Sequence, residues 1–126
     1  MKALADTGTS RAQNAIDAGR EAANAAVEAL AGEPPALVVV FTTPRYNLPE
    51  LLAGIRSVTG SAILFGATGA GQIVQGKHMG FGEGVGVLVL TAGPYRFGVA
   101  SASHINGNLD RVGQEIARAK IGRAHV

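Results

Sequence analysis

The stretch ALVVVFTT, Ala36 to Thr43, decides the fold. It is a continuous β-branched and aromatic run with no polar alternation, the pattern of a strand buried on both faces at the centre of a sheet. Asn47 and Glu50 then stand at the spacing of a helix start, with Pro49 tolerated in the first turn. Leu51, Leu52, Ile55 and Val58 make one apolar face before Gly60 stops the helix. SAILFG, Ser61 to Gly66, supplies a second strand. Strand, helix and strand over roughly thirty residues make a βαβ unit, whose right-handed crossover sets the two strands parallel.

Upstream, Ser10 and Gln13 have capping-box spacing, and Ala12, Ala15, Ile16, Gly19, Ala22, Ala23, Ala26, Val27 and Leu30 recur at helical spacing. The face is mostly alanine, so this helix can lie close to what it covers. Gly32, Pro34 and Pro35 end it. Downstream, Gly84 to Thr91 and Tyr95 to Ser103 read as two strands of an antiparallel hairpin turning at Ala92, Gly93 and Pro94. QGKHMGFGEG, Gln75 to Gly84, reads as a mobile loop leading into that hairpin. After Asn106 to Asn108, Leu109, Val112, Gly113, Ile116 and Ala117 mark a last helix. The expected fold is α/β (α+β): a mixed sheet of about four strands, a parallel βαβ unit followed by an antiparallel hairpin, and three covering helices.

The 126 residues, with 47% hydrophobic content, suit one domain with one core. The longest apolar run is strand-sized, so no membrane span is expected. MKALADTGTSRAQ, the first thirteen residues, lacks the apolar region of a secretory signal, and there is no cysteine for a disulfide framework. A cytoplasmic protein is the expectation. The net charge of +2 comes from basic residues scattered singly, and the chain holds no tryptophan, which argues against a nucleic-acid partner. IGRAHV, Ile121 to Val126, matches the in-frame translation of a common sequencing adapter. The expectation is therefore a partial domain over residues 1–120 with a non-native scar at 121–126, giving Arg123 and His125 no functional weight.

Chemistry-bearing motifs are few. Glycines 66, 69 and 71 follow a strand, but their spacing reverses the dinucleotide fingerprint and no long amphipathic helix follows to hold a pyrophosphate. A Walker loop fails because His78 stands where Ser or Thr would bind magnesium. His78 and His104 have no Cys, Asp or Glu at ligand spacing, so no metal site is expected, although either could serve as a single axial haem ligand. There is no nucleophile elbow, and adjacent Ser103 and His104 would point to opposite faces of a strand. A hydrolase or transferase is therefore the lowest-ranked alternative, and the chain is read as a non-enzyme.

What remains is the carboxyl edge of the βαβ unit, where ligands tend to bind. The loops there, TTPRYN (Thr42 to Asn47) and GATGAG (Gly66 to Gly71), offer Thr42, Thr43, Arg45, Tyr46, Thr68 and Gly69. Hydroxyls, a guanidinium and free glycine amides suit a small anion such as an amino-acid carboxylate. No cofactor is required by this reading.

PALVVVFTTPRYNLPELLAGI, AILFGATGAGQIV, GFGEGVGVLVLTAGPYRFGVAS and GQEIARA, together with the alanine-rich opening helix, resemble the N-terminal part of a FIST domain, a sensory module of prokaryotic signal-transduction proteins. The resemblance implies small-molecule sensing, of amino acids or, in a haem-binding variant, of nitric oxide. It also implies partners: a C-terminal FIST half and a signalling output protein. Family members often carry a cysteine beside the glycine of GATGAG, where this chain has Ala67, so a cysteine-dependent role there is excluded.

Overall fold

The computed structural model describes residues 2–80 and 82–124, with side chains to residue 119. The chain divides into two compact units, Met1–Tyr95 and Arg96–Val126. The first unit holds β1 (Ala5–Ser10), α1 (Ala15–Val27) with a 3-10 turn at Glu28–Leu30, β2 (Leu37–Thr42), α2 (Leu48–Thr59), β3 (Ile63–Thr68), β4 (Gln72–Val74), β5 (Lys77–Met79) and β6 (Val85–Leu90). The second holds α3 (Leu109–Ala124).

The main sheet is mixed and four-stranded in the order β1-β6-β2-β3. The βαβ unit forms as its sequence predicts: β2 and β3 are parallel, with Val40 opposite Gly66 and Thr42 opposite Thr68. Asn47 caps α2 by accepting the Glu50 N–H at 3.1 Å, Pro49 lies in the first turn, and Gly60 ends the helix. β6 runs antiparallel to both of its neighbours.

Three readings are corrected. The first concerns β1, whose polar, glycine-bearing sequence ADTGTS hid its strand character. Ser10 is its last residue, and Ser10 Oγ accepts the Ala12 N–H at 3.1 Å rather than capping a helix. The cap is Asn14, which accepts the Asp17 N–H at 3.0 Å. The second concerns residues 95–103, which form no strand, so the hairpin across Ala92 to Pro94 is absent. Both edges of β6 are already occupied, by β1 and β2, leaving no ladder for that segment to join. The third concerns the supposed mobile loop, where β4 and β5 pair as a second, two-stranded sheet. Gln75 and Gly76, at φ 51 and 74, make the tight two-residue turn that joins them.

One face of the main sheet carries the core. Val38 and Val40 of β2 and Val85, Val87 and Val89 of β6 pack with Ala18, Ala22, Ala26 and Leu30 of the opening helical segment and with Leu51 and Ile55 of α2. The alanine face allows the close approach its composition predicts. A Cβ on Gly8 of β1 would collide with the Ala22 carbonyl of α1, and one on Gly54 of α2 with the Ile16 carbonyl. On the opposite face, Val74 of the β4–β5 hairpin lies against Gly86, while Phe41 and Phe65 are exposed.

In the second unit, α3 begins after Asn108, whose side chain donates to the carbonyls of His104 and Asn106, each at 3.3 Å. The helix expected after Asn106 to Asn108 is therefore present. The reading of residues 121–126 as a scar falls on side chains outside the described residues.

Candidate functional site

Parallel pairing puts the carboxyl ends of β2 and β3 side by side, and the start of α2 passes over them. The result is a cavity of about 250 Å³ between helix and sheet edge. Leu48, Leu51 and Leu52 of α2 form one wall, and Val40 and Thr42 of β2 with Leu64 to Thr68 of β3 form the other. Its surface is almost wholly apolar, although Thr42 and Thr68 are among its lining residues. Gly66 is required where it stands, since a Cβ there would meet the Val40 carbonyl oxygen.

The six predicted residues separate into two groups. Thr42 and Thr68 are paired in register and both line the cavity. Gly69 follows directly, its N–H donating to the Thr42 carbonyl at 2.9 Å. Thr42 is buried, and its hydroxyl donates to the Thr43 carbonyl at 3.0 Å, whereas Thr68 is exposed. Gln72 braces this corner, its Nε2 donating to the carbonyls of Thr42 (3.1 Å) and Gly69 (3.4 Å).

Thr43, Arg45 and Tyr46 make other contacts. Thr43 Oγ1 donates to the Gly84 carbonyl at 3.2 Å and stands 3.3 Å from the Gly84 N–H, fully buried. Arg45 Nη1 donates to the Gly82 carbonyl at 3.1 Å and more weakly to that of Glu83 at 3.5 Å. Its guanidinium carbon lies 5.2 Å from the centroid of the Tyr46 ring, within cation–π range. Arg45 Nη2 is buried with no hydrogen-bond partner among the described residues. The Tyr46 hydroxyl donates to the Ala12 carbonyl at 2.7 Å. Burial raises the Tyr46 pKa above the ordinary tyrosine value; the Arg45 charge opposes this and Glu21 reinforces it.

His78 and His104 are both exposed, the first on β5 and the second in the other unit at φ 61. The His78 carbonyl accepts from Arg11 Nη2 at 3.3 Å. Among the described residues no group of three or more His, Cys, Asp or Glu could hold a metal ion.

The sequence located the strand ends but missed two contributors. Gln72 reads as an ordinary polar residue in a glycine-rich stretch, and only the fold carries its amide to Thr42. The leucine wall was visible as the apolar face of α2, yet Leu48, 42% exposed, lies beyond the stripe that the core explains. An apolar side chain left open at a helix start is the signal that could have found it.

The βαβ unit carries an apolar cavity at its strand ends, a place for a small ligand. The FIST N domain model matches residues 36–125, most of the chain, and the protein belongs to the FIST family of sensory, signal-transduction domains. No curated protein matches it. Among the described residues no helix is long and apolar enough to cross a membrane.

Proposed function

We propose that this domain is a non-enzymatic sensor of a small carboxylate with an apolar tail, an amino acid or a similar molecule. The observation that carries the reading is the cavity walled by Leu48, Leu51, Leu52 and Leu64 at the carboxyl ends of the parallel strands. The tail occupies the apolar part, with the Thr68 hydroxyl and Gly69 at its polar end. Arg45 lies outside the cavity lining, in the loop that follows β2, and in this reading supplies the positive charge from there: its Nη2 has no hydrogen-bond partner among the described residues and is the donor a carboxylate would satisfy.

Signalling follows from the position of Thr42. A ligand against Thr42 touches the first residue of the segment that Thr43 and Arg45 tie to the turn at residues 82–84. Occupancy thus favours one arrangement of that turn, and a partner that binds the two arrangements differently reads the difference. The partners are a C-terminal FIST half and an output protein in the cytoplasm.

The test is a thermal-shift series with amino acids, small organic acids and haem, since a ligand of the folded state raises the melting temperature by mass action. One class of apolar carboxylate is expected to raise it, and Arg45→Ala to weaken binding by about 1.5 to 3 kcal/mol. No shift with any carboxylate overturns the reading. A shift with haem alone, carrying a Soret band lost on substitution of His78 or His104, replaces it with a gas sensor.

A further inference from the structure

β3 is an outer strand of the main sheet, with β2 on one side and, among the described residues, no strand on the other. Its hydrogen bonding alternates. Ile63 N donates to the Ala36 carbonyl at 3.1 Å and Gly69 N to the Thr42 carbonyl at 2.9 Å, so the odd-numbered residues between them face β2. Leu64, Gly66 and Thr68 therefore turn their N–H and C=O groups away from the sheet, toward a place where another strand would lie. Exposed edges are normally guarded by charge, proline or a bulge. Residues 57–76 contain no charged side chain and no proline. The opposite edge differs: β1 carries Asp6, and its Thr7 carbonyl accepts from Gln75 at 3.4 Å.

The unguarded edge is complementary to its own inverse. With two copies antiparallel about Gly66, three pairs exchange hydrogen bonds: Leu64 with the partner's Thr68, Gly66 with the partner's Gly66, and Thr68 with the partner's Leu64. On the open face, Ala67 then stands opposite the partner's Phe65. Ala67 is already opposite Phe41 within the sheet. Phe41 is 43% exposed and Phe65 47% exposed, and the small alanine leaves room for the partner's Phe65 to cover both itself and Phe41. On the other face the partner's Leu64 and Thr68 come to the border of the cavity lined by Leu64 and Thr68. No like charges meet anywhere along the contact.

We infer that two copies of this chain associate through β3, antiparallel about Gly66, forming one continuous sheet. The interface is isologous, and its twofold axis passes through the glycine pair. This inference does not depend on the identity of any ligand.

Sedimentation velocity of the full chain across a concentration series tests it, with circular dichroism melts to show that each variant folds. Wild type is expected to dimerise. Ala67→Lys, at an exposed site whose backbone groups face β2, should raise the dimer dissociation constant by about tenfold while the variant keeps a cooperative melt. Phe65→Glu should also weaken the dimer. The double variant Phe65→Glu with Ala67→Lys places opposite charges across the axis twice and should restore association, now weakened by salt. A wild-type chain that stays monomeric at every concentration, as when another segment or protein is the natural neighbour of β3, overturns the inference. So does a dimer that Ala67→Lys leaves unchanged, or a double variant that stays as weak as the singles.

Discussion

Tyr46 shows what a single hydroxyl does in this fold. It follows β2, yet its partner is the Ala12 carbonyl, 34 residues earlier, at 2.7 Å. That bond joins the start of α2 to the link between β1 and α1. Tyr46→Phe removes the donor and leaves a carbonyl unpaired, so the variant should lose about 0.5 to 1.5 kcal/mol by urea denaturation near neutral pH. The pH dependence has a definite sign. The folded-state pKa of Tyr46 is raised, by burial first, so its neutral form is favoured on folding. Its contribution is complete below the unfolded tyrosine pKa of about 10 and is lost as pH rises through the higher folded value. The gap between wild type and Tyr46→Phe should therefore narrow above about pH 10, and a gap that widens there contradicts the assignment. The sequence placed this phenol in a ligand loop by residue type. It could not reveal that a carbonyl far back in the chain already accepts its hydrogen bond, nor that Arg45 turns toward Gly82, because both partners are set by tertiary packing.

Between elements, closeness of backbone decides more than hydrophobic bulk. α1 and α2 meet through reciprocal glycines: a Cβ on Gly19 would strike the Leu51 carbonyl, and one on Gly54 the Ile16 carbonyl. Alanine is the better helix former by about 1 kcal/mol. At Gly54 that gain is outweighed, because relieving the clash requires moving a helix backbone, and overpacking typically costs about 1 to 3 kcal/mol. Gly54→Ala should lower the melting temperature, while Gly113→Ala in α3, where a Cβ would find nothing within 4 Å, should raise stability by up to about 1 kcal/mol. Two destabilised variants, or two stabilised ones, would refute the packing argument. Element type was legible wherever periodicity was strong, as in α1, β2 and α2. It failed where local pattern and pairing disagreed. ADTGTS has weak strand character and pairs along its whole length with β6, whereas residues 95–103 do not pair with β6, the partner the hairpin needs, because both of its edges are taken by β1 and β2. The β4–β5 hairpin escaped because its strands are three residues each, too short to show a period.

At the scale of the whole molecule, the family match and the folding unit do not coincide. The match begins at residue 36, yet β1 and α1 precede it. Those elements are not peripheral. Ala15, Ala18, Ala22, Ala23, Ala26 and Leu30 belong to the core cluster, and β1 satisfies one edge of β6 from Ala5 opposite Leu90 to Ser10 opposite Val85. A chain beginning at Ala36 would expose Val85, Val87 and Val89 to water, each worth roughly 1.5 to 3 kcal/mol when buried. It would also leave β6 as a second unpaired edge. That loss is comparable to the entire stability of a small domain. The truncated chain should therefore show no cooperative thermal transition and should aggregate, whereas the chain from Met1 melts as a unit. If the truncated chain melts cooperatively, α1 and β1 are accessory, and the core must close over the sheet by another route. The candidate cavity makes the outcome informative for function as well. Its walls all lie after residue 36, but α2, which carries the leucine wall, is held in place by its contact with α1 through Gly19 and Gly54.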